Sequence, residues 1–152
     1  MAKFRITREI GIDAGHRVPN HHSRCKNIHG HRYTIQATVE GELAESGSVE
    51  GMAGGMDFGF IKEEMMKEID EPCDHKLILW KGETKNSTFE DLADIVAIYW
   101  VDFSPTAENL AEHWFRRVDR QITLRSKGHA SLVKLRVYET PNCWADYEPG
   151  EK

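Results

Sequence analysis

Two stretches of alternating polarity, separated by a long polar loop, constrain this chain more than any other feature. From Phe4 to Ile12 the even positions Phe4, Ile6, Ile10 and Ile12 are apolar, Lys3, Arg5, Thr7 and Glu9 are polar, and Arg8 is the one exception. From His31 to Glu42, Tyr33, Ile35, Ala37 and Val39 line one face and Arg32, Thr34, Gln36, Thr38 and Glu40 the other. A period of two is the mark of a strand with one buried and one solvated face, so both stretches are expected as half-buried strands. Roughly seventeen residues rich in His, Asn and Ser lie between them, too many for a hairpin turn, and loops of that length are usually functional.

The rest of the chain alternates between clear and ambiguous signals. Gly41 to Gly55 holds five glycines and little apolar content, which predicts an exposed, mobile connection. Asp57 can cap a helix in which Phe58, Ile61, Met65 and Ile69 recur at three- and four-residue spacing, ending before Pro72. Trp80 to Phe103 reads two ways: Phe89, Leu92, Ala93 and Val96 suit a helix, and Ile95 to Val101 a short strand. Ser104 and Pro105 open a second helix whose stripe is Leu110, Ala111, Trp114, Phe115, Val118 and Ile122. Val133, Leu135 and Val137 alternate with Lys134, Arg136 and Tyr138 in a further strand, and Cys143 to Tyr147 suits a short last one. Strand pair, helix, helix, strand pair is an α+β order, with an antiparallel sheet of about four strands in a single domain over 1–152.

Charge and cysteine usage narrow the function. The net charge is −5, whereas proteins that neutralise nucleic-acid phosphates lean basic, so no nucleic-acid partner is expected. The longest apolar run, Ile95 to Val101, is too short to span a bilayer, and MAKFRITREI has no apolar stretch of a secretory signal, which points to no membrane partner and to the cytoplasm. Cys25, Cys73 and Cys143 are too few for a disulfide framework and read as free thiols.

Five of the eight histidines, His16, His21, His22, His29 and His31, fall within sixteen residues. His29 and His31, two apart on a strand, share a face with Tyr33. His16 lies just past the first strand on the parity of its apolar face, so antiparallel pairing can bring it to the other two. Three nitrogen ligands from neighbouring strands make a catalytic zinc site with one position open. His21 and His22 have no periodicity to aim them and read as solvated. Arg17, Arg24 and Lys26 make the loop locally basic, which suits either a solvated surface or an anionic substrate.

Cys25, four residues before His29, is a fourth ligand closing a structural zinc site, a reactive thiol near an open one, or an inert thiol. Asp74 and His75, directly after the first helix, supply the carboxylate and ring of a Cys-His-Asp relay. Glu139 has the odd parity of Val133, Leu135 and Val137 and should point to the apolar side. There it can pair with a cation or accept two adjacent N–H groups of a ligand, unless it lies exposed at a fraying strand end.

These segments together resemble the 6-pyruvoyl-tetrahydropterin synthase and 6-carboxy-tetrahydropterin synthase family. The matching stretches are Asp13-Ala14-Gly15-His16-Arg17, Cys25 through His29-Gly30-His31, Gly55-Met56-Asp57-Phe58, Asp74-His75, Pro105-Thr106-Ala107-Glu108-Asn109 and Val137-Tyr138-Glu139-Thr140. The resemblance implies that His16, His29 and His31 bind Zn2+, that Cys25 is the catalytic thiol assisted by Asp74 and His75, and that Glu139 anchors a pterin ring. It also implies that Thr106 and Glu108 lie near the pterin pocket, although Glu108 equally suits a helix start. The implied fold is the tunnelling fold, with two helices on one face of the sheet and sheets joined into a barrel in a homo-oligomer, commonly a hexamer, with active sites between subunits.

Three residues between Cys25 and His29 resemble the bacterial carboxy-forming branch of queuosine and 7-deazapurine synthesis. The implied substrate is 7,8-dihydroneopterin triphosphate, and the implied products are 6-carboxy-5,6,7,8-tetrahydropterin, acetaldehyde and triphosphate. The pyruvoyl-forming reaction and a noncatalytic zinc or pterin module are the alternatives. Two departures stand out: Ile78-Leu79 where the family has Leu-Asn, and a longer Trp80 to Phe103 segment.

Overall fold

A computed structural model of the chain describes residues 2–45, 51–83 and 91–150. The two alternating stretches become long antiparallel partners, β1 (Lys3–His16) and β2 (His29–Glu42). Their register pairs Lys3 with Glu42 at one end and His16 with His29 at the other. Burial follows the alternation, with Ile10, Ile12 and Ala14 of β1 and Tyr33, Ile35, Ala37 and Val39 of β2 in the core. On the other face Thr7 and Thr38 share a 2.8 Å hydrogen bond between their hydroxyls. Both strands run further toward each other than the alternation required, so the histidine-bearing loop spans only 17–28.

Helix α1 (Phe58–Met65) starts where expected, with the Asp57 carboxylate accepting from the Phe60 N–H at 2.7 Å. Ile61, Met65 and Ile69 are buried, but Phe58 is 53% exposed and outside the core stripe. After Met65 the helix widens into a π turn over Met66–Asp70 and ends in a short turn, α2 (Glu71–Cys73). The chain thus overruns the expected stop before Pro72. The Glu71 N–H reaches back five residues to the Met66 carbonyl, and Pro72, which has no N–H to offer, sits in the first turn of the new segment.

The remaining elements are β3 (Leu77–Trp80), β4 (Ile98–Val101), α3 (Ala107–Arg125), β5 (Ala130–Thr140) and β6 (Cys143–Tyr147). The sheet has six strands in the order β4-β3-β1-β2-β5-β6, and β3 runs parallel to both β1 and β4. The expected four-stranded antiparallel sheet is therefore a six-stranded mixed one. Its extra strands are short, and Ile78 and Leu79 of β3 are both buried, so β3 carries no period-two signal. In the ambiguous segment the strand reading holds for Ile98–Val101. Phe89 lies outside the described residues, and the Leu92 carbonyl accepts from the N–H groups of Ile95 and Val96 in a turn.

Helices α1 and α3 cover one face of the sheet, with Trp114 the largest fully buried side chain between them. Gly41 to Gly55 is not the plain exposed connection expected. Met52 and Met56 are 2% and 0% exposed and join the core through bridges to Leu43 and to each other, while 46–50 lie outside the described residues. Gly54, at φ +79°, packs so closely on Ser126 that an added Cβ would lie 2.6 Å from its carbonyl oxygen. In β5 the register against β2 shifts at Val133, a β-bulge that puts Leu132 and Leu135 both inside and leaves Val133 half-buried. No helix among the described residues is long and apolar enough to cross a membrane.

Candidate metal centre and active site

Where β1 ends and β2 begins, the register sets His16 opposite His29 and Ala14 opposite His31. The inward parity of His16 and the same-face spacing of His29 and His31 bring three rings together. His16 Nε2 lies 3.0 Å from His29 Nε2 and 3.1 Å from His31 Nε2. Four-coordinate zinc, with Zn–N bonds of 2.0–2.1 Å, separates its ligand nitrogens by about 3.3 Å, so the cluster fits a transition ion. The outer nitrogens are also committed: His16 Nδ1 donates to the Pro105 carbonyl and His29 Nδ1 to the Asn27 carbonyl, each at 2.7 Å. These bonds fix the tautomer that leaves Nε2 free to ligate.

Burial lowers the His16 pKa to about 4, against a raising bond from Pro105, and the His29 and His31 rings lower it further. His31 is lowered by burial and then by His29. Both shifts favour the neutral ring, the form that binds metal. Beneath them the fully buried Tyr33 ring stands edge-on to His16 and His31, with centroids 5.8 and 5.4 Å away.

His16 opens onto a cavity of about 290 Å³ that Cys25, Thr106, Glu108 and Glu139 also line. Glu139 points inward as its parity required, with carboxylate oxygens 3.8 Å from His16 Nε2 and 4.0 Å from His31 Nε2. Burial raises its pKa, Glu108 adds to the rise, and His29 opposes it. Thr106 is the N-cap of α3, accepting from the Asn109 N–H, and Glu108 occupies the first turn, so the capping role and the cavity position coexist. Cys25 sits in a 3-10 turn, Arg24–Lys26, capped by Ser23. Among the described residues, the ligand-type atoms lying within 4.8 Å of one another are those of His16, His29 and His31, and Cys25 is not in that group.

Asp74 and His75 are joined to each other but open elsewhere. Asp74 Oδ2 lies 2.7 Å from His75 Nδ1, and its Oδ1 accepts from the Asp13 N–H at 2.9 Å. The Asp13 bond, followed by the His75 bond and charge, holds the Asp74 carboxyl below the usual range, and Asp74 in turn raises the His75 pKa. His75 has φ +56°, a left-handed conformation costly for a side chain of this size, secured by its N–H donating to the Asp13 carbonyl at 2.7 Å. Its ring is 77% exposed and lines a second cavity with His31, Asp13 and Ile28. Within one chain the Cys25 cavity and the His75 cavity are different openings.

His21 and Cys143 are among the other residues that line the first cavity. His21 lines it and, far from being merely solvated, accepts from the Ser23 N–H at 3.0 Å and stacks on His22. Cys143 lines it too, and the signal that could have found it is parity: it alternates with Ala145, which pairs with the inward-facing Val137. Leu79, where the resemblance expects asparagine, is 1% exposed and offers nothing polar.

Three histidines able to hold a metal ion, beside a cavity lined by a thiol and a carboxylate, suit an enzyme, and the comparisons agree. The profile of the 6-pyruvoyl tetrahydropterin synthase family matches residues 5–150. The 6-carboxy-5,6,7,8-tetrahydropterin synthase of Rickettsia felis is 34% identical over 143 residues, covering 94% of this chain and 99% of that protein. The enzyme of the same name from Haemophilus influenzae is 30% identical over 147 residues, covering 95% and 99%. The structure of Caenorhabditis elegans 6-pyruvoyl tetrahydropterin synthase superimposes with a TM-score of 0.68 at 22% identity, covering 99% of this chain and 98% of that one, and shares its fold. This chain belongs to the 6-pyruvoyl tetrahydropterin synthase family.

Proposed function

We propose that this chain, as one tunnelling-fold domain, is a zinc-dependent lyase. It would convert 7,8-dihydroneopterin triphosphate and water to 6-carboxy-5,6,7,8-tetrahydropterin, acetaldehyde and triphosphate in the queuosine and 7-deazapurine route of the cytoplasm. The observation that carries this reading is the convergence of three histidine nitrogens on a cavity that also holds a thiol and an inward carboxylate. The names of the bacterial relatives support the carboxy-forming outcome. His16, His29 and His31 would hold the zinc, which when bound supplies Lewis acidity next to the reacting carbons.

The chain's own residues have distinct tasks. Glu139 grips the ring edge by accepting two adjacent N–H groups side by side. Thr106 and Glu108 close that end of the pocket. The Cys25 thiol and the His75 ring move protons, and Asp74 orients the ring and supports its protonated form. Because His75 is exposed beside Ile28, Ile95 and Val96 and opens away from Cys25, the relay is read as assembling between two copies. The edges of β4 and β6, which pair with no further strand among the described residues, support a homo-oligomer, a hexamer in this reading.

The test is to incubate zinc-loaded protein with dihydroneopterin triphosphate. Acetaldehyde and a one-carbon carboxylate side chain are expected. A product that keeps all three side-chain carbons would identify the pyruvoyl-forming reaction instead, and no turnover would overturn both.

A further inference from the structure

Within the loop over 17–28, three cations have unlike fates. Arg17 donates to the Lys26 carbonyl at 2.8 Å and pairs with Glu83, so it is neutralised and spent on holding the loop. Further bonds lace the same loop, from the Val18 N–H to the Cys25 carbonyl at 2.8 Å and from the Asn27 N–H to the Arg24 carbonyl at 2.9 Å. Arg24 and Lys26 are exposed, and neither side chain has an ion pair or hydrogen bond among the described residues. They flank Cys25 in a 3-10 turn, where successive side chains diverge by about 120°. Cys25 lines the cavity, and Arg24 and Lys26 are its immediate neighbours in the chain, exposed on the turn that carries it. In a chain of net charge −5, two uncompensated cations on a rigid turn are a local reversal of sign.

The acidic groups of the cavity lie on its other walls. Glu108 of α3 and Glu139 of β5 attract N–H donors and repel anions, while the loop contributes Val18, His21 and Cys25, with the cations Arg24 and Lys26 next to Cys25 in the chain. At about 290 Å³ it stands at the small end of ligand pockets, room for a bicyclic ring but not for a triphosphate as well. We propose that Arg24 and Lys26 form the subsite for the polyphosphate tail of the substrate, clamping it outside the cavity while the ring edge rests on Glu139. This rests on the lyase reading and adds to it the groups that select a triphosphate over an unphosphorylated pterin.

The test uses zinc-loaded full-length protein, inorganic triphosphate as probe, and the variants Arg24→Gln, Lys26→Gln and their double. Both side chains are exposed and unpartnered, so folding and zinc content should match the parent by circular dichroism and elemental analysis. Triphosphate should inhibit the parent competitively. In the double variant its inhibition constant and the KM for dihydroneopterin triphosphate should each rise about tenfold, the worth of one charge-assisted hydrogen bond. The affinity for phosphate-free neopterin should be unchanged, the Arg24→Lys variant should restore most of the loss, and raised salt should shrink the difference. An unchanged inhibition constant, or equal losses for neopterin, would overturn the subsite and leave the lyase reading standing. Absence of turnover in the parent would overturn the reading and the subsite with it.

Discussion

The imidazole cluster and the Asp74–His75 turn are both anchored to the last residues of β1, yet they are built by opposite means. His16 is 1% exposed, has Nδ1 committed to the Pro105 carbonyl, and meets its partners through strand register. His75 is 77% exposed, stands in a strained left-handed conformation, and is held by two bonds to the backbone of Asp13, one through its own N–H and one through Asp74. In the proposed reading, the difference teaches that one half of the chemistry is complete within a chain and the other is presented outward for a second copy to complete.

The sharpest way to break that comparison is at the buried half. His16→Ala should weaken zinc binding by at least about a hundredfold and abolish turnover, since it removes a ligand and not merely a supporting bond. Zinc per chain by elemental analysis checks it, and a full complement in the variant would dissolve the triad. Next, Cys25→Ala should retain zinc while kcat falls by about a thousandfold, within the range of a lost proton-transfer group. Loss of zinc as complete as in a histidine variant would make Cys25 a ligand and revive the noncatalytic module.

The outward half is tested by mixing. Cys25→Ala and His75→Ala chains, each inactive alone, should recover about a quarter of parental activity when co-assembled, because a site shared between copies finds both good groups that often. No recovery would return the relay to a single chain. The smallest effect is electrostatic. Asp74 holds the His75 pKa above its ordinary value of 6.5, so Asp74→Asn should lower it toward that value in an NMR titration. The sign for stability follows: a raised histidine stabilises the fold at pH below its unfolded value, and that contribution disappears as pH rises through the folded one. A titration unmoved by the substitution would mean the 2.7 Å contact has no electrostatic weight.

How far these features were legible depends on whether periodicity reached them. The triad was readable because parity within β1 and β2, plus one antiparallel register, fixes three rings at once. Glu139 was readable by counting from Leu135, although Val133, counted the same way, is pushed off the face by the bulge. Strand β3 was not, because Ile78 and Leu79 are both buried and leave no alternation to see, whereas β4 was legible only as one of two readings of its segment. Nor were Met52 and Met56, two apolar residues hidden among glycines. The separation of Cys25 from His75 was beyond reach as well, since adjacency along a chain says nothing about which opening a turn faces.

In its pairing with β2, the bulge at Val133 gives β5 one spare link. Ala130 and Leu132 point inward on even numbers, Leu135, Val137 and Glu139 on odd ones, and the extra residue absorbs the change. Removing Val133 would merely straighten the ladder and keep the carboxylate toward the imidazoles, whereas removing Tyr138 would turn it outward. Descendants of this chain can thus lose or regain a residue at the far end of the strand without consequence, while the four links before Glu139 are bound to a fixed length.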